Sequence, residues 1–345
     1  MSFVRQNWKL LATAAGIAVA GELLQRRKMI DLQGKVVLIT GSSRGFGLAI
    51  AEQFALAGAK LALCARDEEE LVRARMQVSE FGAQVLTIPC DISNPEQVQR
   101  CVEQATAHFG QIDILVNNAG IITAGPWQTL TRHDFEESMN IMFWGIYNMT
   151  MAVLPQMAAR KSGRIVNITS IGGKVSVPHL LAYSSAKFAA VGFSEGLHAE
   201  LAKDGIVVTT VAPWLMRTGS QVNAVIKGDQ HRTEYALFTL LDTLPASSIS
   251  VKRAARQVVN ATKRGSAELL ITIEAQFLSR LYGAFPGFMT DLLGIVNRFL
   301  PTSEEAGQES YTGRESESPL SQSFLTSLGQ KASQDYNQNP DTTSK

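Results

Sequence analysis

Ser170, Tyr183 and Lys187 stand thirteen and four residues apart in this chain. The last two lie within an expected helix, Leu180–Ala202, where a spacing of four puts both side chains on one face. A free phenol titrates near 10, too high for proton transfer at neutral pH, and each unit of downward shift needs about 1.4 kcal/mol. An adjacent ammonium and a positively charged partner ring both favour the phenolate. Tyr183 would then give a proton to a carbonyl oxygen as hydride arrives, or take one from an alcohol in reverse. Ser170, at the end of an expected strand, would hydrogen-bond the same oxygen and fix its position. Asn140, in the helix after the fourth strand, would hold a water that relays protons to Lys187.

Such chemistry needs a hydride carrier, and a place for one lies upstream. Thr40-Gly41-Ser42-Ser43-Arg44-Gly45-Phe46-Gly47 leaves an apolar run and opens a helix. Glycines let the backbone turn tightly and approach a phosphate, and the helix N-terminus offers free N–H groups and a positive dipole end. A cofactor with a free ribose 2′-hydroxyl usually meets a carboxylate at the end of the second strand. Here that strand ends Leu63-Cys64-Ala65-Arg66, with Arg44 inside the glycine loop. Two guanidinium groups suit a 2′-phosphate, so the cofactor expected is NADP(H). Asp91, after the third strand, is placed to accept from the adenine amino group, or merely to cap the following turn.

These residues need a scaffold that brings strand ends together. Strands are expected at Lys35–Thr40, Lys60–Cys64, Gln84–Pro89, Asp113–Asn117, Gly163–Thr169, Ile206–Ala212 and Glu268–Thr272. Amphipathic helices alternate with them, and Ser93-Asn94-Pro95-Glu96 reads as a helix start. Right-handed crossovers then give an α/β fold, one doubly wound domain with a seven-stranded parallel sheet over residues 34–274. Residues 275–300 are apolar and broken by Pro286-Gly287, which suits two short helices. Residues 301–345 are rich in Ser, Gln, Glu, Asn and Thr, the composition of a disordered tail.

Residues 1–30 differ again. Leu10–Gly21 is a charge-free run of twelve, flanked by Arg5 and Lys9 before and Arg26-Arg27-Lys28 after. A full span needs roughly 20 apolar residues. Three readings stay open: a marginal membrane anchor or in-plane helix, a helix packed on the domain or a partner chain, or a signal-peptide core with Ala18-Val19-Ala20 as its cleavage site. The basic cluster after the run favours a main domain on the cytoplasmic side. The net charge of +1 gives no nucleic-acid footprint. Cys64, Cys90 and Cys101 show no CxxC spacing and read as small buried hydrophobes of a reducing compartment. The five histidines show no ligand spacing, so no metal is expected.

Over about 240 of its 345 residues, roughly Gly34–Glu274, the chain resembles the short-chain dehydrogenase/reductase family, with its Rossmann-like fold. The likeness rests on the TGxxxGxG loop at Thr40–Gly47, the NNAG at Asn117–Gly120, and the set Asn140, Ser170, Tyr183 and Lys187. It implies Tyr183 as acid/base and Lys187 as the nicotinamide-ribose ligand that lowers the phenol's pKa. Ser170 orients substrate and Asn140 supports the relay. It further implies cofactor contacts from Gly41, Ser43, Arg44, Gly45, Phe46, Gly47, Arg66, Asp91, Asn118, Ala119, Gly120, Tyr183, Lys187, Pro213 and Thr218. Where the family usually has Pro-Gly-x-x-x-Thr, this chain has Pro213-Trp214-Leu215-Met216-Arg217-Thr218. A homodimer or homotetramer is implied as well.

The reading is an NADP(H)-dependent oxidoreductase of a small carbonyl or alcohol. The mostly apolar Thr218–Ser248 loop and the apolar helices beyond residue 274 suggest a lipophilic one. Two alternatives remain: an epimerase or dehydratase using the same Tyr/Lys chemistry, and a non-catalytic NADP(H)-binding scaffold or redox sensor.

Overall fold

A computed structural model of the chain describes residues 29–303, 309–323 and 326–338. The expectations for residues 1–28 lie outside these. Val-Val-Leu-Ile-Thr at Val36–Thr40 (β1) is buried along its whole length, as a central parallel strand covered on both faces must be. On one side it pairs in parallel with Lys60–Ala65 (β2), and Val85–Pro89 (β3) lies beyond. On the other side follow Ile114–Asn117 (β4), Gly163–Ile168 (β5), Ile206–Pro213 (β6) and Glu268–Ile271 (β7). The order is β7-β6-β5-β4-β1-β2-β3, all parallel. Each expected strand forms, with ends within one residue. The direction of winding reverses between β1 and β4, where such sheets bind ligands at the strands' carboxyl ends.

Alternation along the strands builds two apolar layers. Val37, Ile39, Leu61 and Leu63 point to one face. They pack with the helices Gly45–Leu56 (α1), Glu68–Ser79 (α2) and Val251–Arg264 (α8), through Leu48, Phe54, Leu71 and Val258. Leu38, Ala62 and Cys64 point the other way. They meet Pro95–Phe109 (α3), Gly145–Ala159 (α5) and Leu181–Leu201 (α6), through Val102, Val153 and Leu197. Asn94 starts α3 as expected: its side-chain oxygen accepts from the N–H groups of Glu96 and Gln97, both at 3.0 Å. Arg132–Met139 (α4) runs through a π-helical stretch, Asn140–Trp144, into α5. His231–Thr243 (α7) lies in the segment expected to face substrate.

Two helices follow the sheet, Ile273–Ala284 (α9) and Pro286–Asn297 (α10). They are seated through Leu278, Tyr282 and Leu293 against Ile171, Val175 and Leu270. Phe277, Phe285, Phe288 and Phe299 stay exposed. No helix among the described residues is long and apolar enough to cross a membrane.

The tail corrects the expectation of disorder wherever it is described. Ser310–Thr312 pairs antiparallel with Val225–Lys227, and Ser327–Asp335 (α11) is a helix packed against α7. Composition misses this order because polar groups supply it. Ser316, Ser321, Thr326, Ser333, Asn337 and Gln338 are all buried, and only Ala332 and Tyr336 join the main apolar layer.

Candidate active site

The carboxyl ends of the strands carry the glycine loop after β1, Arg66 after β2, Asp91 after β3, the Asn118–Gly120 turn after β4 and Ser170 after β5. Tyr183 and Lys187 lie on α6, and Asn140 opens the π-helical stretch between α4 and α5. After β1 the chain turns through Gly41 at φ +60°, where a Cβ would sit 2.7 Å from the Cα of Ala119. A Cβ on Gly47 would collide with the carbonyl oxygen of Gly41. Both positions therefore require glycine for the loop to close onto the start of α1. Thr40 Oγ1 accepts from the N–H groups of Asn118 (2.9 Å) and Ala119 (3.1 Å), and the Asn118 amide donates to the carbonyl of Gly41 (2.9 Å). The Asn118–Gly120 turn thus braces the glycine loop. A Cβ at Gly120 would stand 3.7 Å from Lys187 Nζ, so that turn also borders Lys187.

At the far end of the cleft the two arginines part company. Arg44 is bound to Glu70 at 2.7 Å, and Ser43 Oγ donates to the other oxygen of the same carboxylate at 2.7 Å. Glu70 is almost fully buried and was invisible as a site residue in the sequence. Its signal was its place one turn after the cap Asp67, whose carboxylate accepts from Glu70 N at 2.8 Å. Arg66 is exposed at the end of β2. Asp91 uses one carboxylate oxygen to accept from Ser93 N (2.9 Å) and Ser93 Oγ (2.7 Å), which caps its turn.

Ser170, Tyr183 and Lys187 converge at the end of β5 and on α6. Ser170 follows β5, and its Oγ accepts from Gly172 N at 3.0 Å. A Cβ on Gly172 would press on the Tyr183 ring at 3.1 Å, so its absence lets the phenol approach Ser170. Lys187 is 4% exposed; its Nζ donates to the carbonyl of Ile168 at 3.0 Å and lies 5.8 Å from the centre of the Tyr183 ring. Burial pushes the Lys187 ammonium down to about 8. Burial also pushes the Tyr183 phenol above its ordinary value; a hydrogen bond with Ser170 pulls it down, and the charge of Asp242 pushes it up. The helix is pinned beneath by a buried ladder. Asn117 donates to Asn167 (2.8 Å), Asn167 to Ser194 of α6 (3.0 Å), and Ser194 meets Thr210 (2.7 Å). Asn140 opens the π-helical stretch, its carbonyl accepting from Gly145 N, and that stretch packs against α6. Such π-turns concentrate at functional sites.

Asp242 on α7 is a second residue that the sequence reading passed over. It is 6% exposed, and its Oδ1 accepts from Met216 N at 3.1 Å. Burial pushes its carboxyl up to about 7, against the Met216 hydrogen bond and Arg217, which both lower it. Its folded value exceeds the unfolded one near 3.9, so it takes up a proton on folding. The stability this provides is complete below about pH 4 and is lost as pH rises to 7. Asp242→Asn should therefore stabilise the protein at pH 8 by up to about 4 kcal/mol, with a smaller gain at pH 5. Urea unfolding at both pH values checks this, and a gain equal at both would reject the assignment.

Two further features are tertiary. Trp214 Nε1 donates to the carbonyl of Ser247 at 2.7 Å, and its side chain packs against the apolar cluster that holds Ile171 and Val175. Thr218 is buried, and its Oγ1 donates to Ser220 Oγ at 2.7 Å. The three cysteines, far apart in sequence, are buried free thiols with sulfurs within 4.8 Å of one another.

The chain is similar to known proteins. A family described as short chain dehydrogenase matches residues 35–227. A dehydrogenase/reductase SDR family protein 7-like from Anopheles gambiae is 36% identical over 277 residues, covering 76% of this chain and 86% of that one. A fatty acyl-CoA reductase from Acinetobacter baylyi is 37% identical over 190 residues, covering 54% of this chain and 64% of its own. The solved NAD+-bound xylitol dehydrogenase superposes with a TM-score of 0.60 at 26% identity, covering 70% of this chain and 99% of that one. With the family match spanning more than half its length, this chain belongs to the short-chain dehydrogenase/reductase family of oxidoreductases.

Proposed function

We propose that the chain is an NADP(H)-dependent reductase of lipophilic aldehydes or ketones, running as an alcohol dehydrogenase in reverse. The observation that carries this reading is the meeting of Ser170, Tyr183 and Lys187 at the strand ends that also bear the glycine loop. The residues suit a dinucleotide: Gly41 and Gly47 let the loop close onto the start of α1, whose N-terminal N–H groups favour a phosphate, and Lys187 is the cation for the nicotinamide ribose. When bound, the cofactor supplies the hydride.

The chain's own part is proton handling. Ser170 holds the substrate oxygen, and Tyr183, its phenol raised by burial, keeps its proton through the neutral range and gives it to that oxygen during reduction. Lys187 supplies the adjacent positive charge that lets Tyr183 release the proton. Asn140, on the π-turn against α6, supports the relay that returns it. For the oxidised direction Tyr183 must first lose its proton, so alcohol oxidation should rise with pH where reduction does not.

Two features support a 2′-phosphate. The Asp67 carboxylate is committed to capping α2, and the group at the end of β2 is the exposed Arg66. Arg44 contributes by leaving Glu70. A lipophilic substrate is supported by exposed Leu237 and Leu241 on α7, exposed Phe277 and Phe288 on α9 and α10, and the likeness to a fatty acyl-CoA reductase. A homodimer or homotetramer, cytoplasmic, with membrane attachment through residues 1–30, belongs to the same proposal.

The test is NADPH absorbance followed against a panel of long-chain aldehydes and ketones; no consumption across the panel would reject the reading. Arg66→Ala should raise the Kd for NADPH about tenfold or more and shift that for NADH less than about twofold, since a charge-assisted hydrogen bond is worth about 1.5–3 kcal/mol. Equal losses would defeat the 2′-phosphate argument.

A further inference from the structure

Tyr336, Asn337 and Gln338, the last described residues, lie on the glycine loop. The carbonyl of Tyr336 accepts from Gly45 N at 2.8 Å, taking one of the N–H groups that the start of α1 leaves unpaired. Asn337 donates to the carbonyl oxygens of Ser43 (2.9 Å) and Glu70 (3.3 Å) and accepts from Arg73 at 3.0 Å. The Gln338 amide fills the space where a Cβ of Gly45 would stand, and its oxygen accepts from Asn223 at 2.7 Å. One turn earlier, Ser333 of α11 lies where a Cβ of Gly219 would be, beside Thr218. The strap therefore touches the loops at both ends of the expected cofactor position.

We infer that residues 326–338 are a displaceable strap across the dinucleotide cleft, which the cofactor's phosphates must push off before turnover. The inference rests on the dinucleotide reading above. Space at Gly45 admits either the Gln338 amide or a phosphate approaching the backbone, not both. The strap is also a weak occupant. Its seam leaves Ser333 Oγ, Thr243 Oγ1 and Gln221 Oε1 buried with no hydrogen-bond partner among the described residues. A neutral carbonyl at a helix N-terminus is a poorer partner than a phosphate, which carries full charge and several acceptor oxygens. The Tyr336 carbonyl contact at Gly45 N is thus replaced by a stronger one when a phosphate takes its place.

The experiment uses the full chain. Amide hydrogen exchange of residues 326–338 is measured alone and with saturating NADPH or NADH, and Kd for both is measured for wild type, Asn337→Ala and Asn337→Asp. The aspartate keeps the shape but aims an acceptor at the Ser43 and Glu70 carbonyls. The expected result is faster exchange of the strap on binding, and dinucleotide bound about tenfold tighter by both variants than by wild type. Cofactor bound with strap exchange unchanged, or with both variants equal to wild type, would make the tail a permanent wall and overturn the inference while leaving the cofactor reading intact. No dinucleotide bound by any of the three would overturn both.

Discussion

Tyr183→Phe should reduce turnover by about 10³-fold while leaving dinucleotide affinity and thermal stability nearly unchanged. A positioned general acid contributes about 10² to 10⁴ in rate, and here no second hydroxyl with the same neighbours stands in. Ser170, the hydroxyl that Tyr183 approaches, has its Oγ held by Gly172 N. The ring itself packs against Gly172 and over Lys187, contacts that phenylalanine preserves. Steady-state rates with single-turnover controls, beside a direct titration of NADPH, separate the two readouts. Retained turnover would remove Tyr183 from the chemistry; lost cofactor binding would make it a ligand instead.

Lys187→Met should move activity and stability in opposite directions. The buried ammonium sits at about 8 where an exposed lysine sits near 10.5. The charged form is therefore penalised fully below pH 8, by about 3 kcal/mol, and the penalty fades as pH climbs toward 10.5. Methionine fills nearly the same volume without charge. It leaves the Ile168 carbonyl without its 3.0 Å donor, at a cost of about 1 kcal/mol. A net gain of about 2 kcal/mol at pH 7 should appear in denaturant unfolding and vanish by pH 10. Turnover should fall about 10² to 10⁴-fold as the phenol loses the charge that lets it release a proton. A variant no more stable than wild type would show that the ammonium is not penalised. Such a trade is the usual cost of a working site.

Much of this molecule was legible in one dimension because local rules govern it. Val36–Thr40 reads as a central strand from its apolar run, Asn94-Pro95 as a helix start from its cap, and Gly41 to Gly47 as a phosphate turn from glycines that no other residue can replace. Tyr183 and Lys187 share a face because a helix repeats every 3.6 residues. Those features depend on neighbours within a few positions, so order and spacing are enough. Among the described residues after Thr302, the expected disorder failed on that same dependence. Asn337 reaches Ser43 across 294 residues, and no local pattern records a contact made by polar groups at that separation. Glu70, Asp242 and Trp214 are alike: each gains its role from a partner on another element, Arg44, Met216 and Ser247. Residue order by itself determined the sheet, the glycine loop and the placing of Tyr183 and Lys187 on one helix face. The burial that sets the charges of Lys187 and Asp242, and the strap lying on Gly45, were decided only by folding, because burial and long-range hydrogen bonds exist only once distant segments pack.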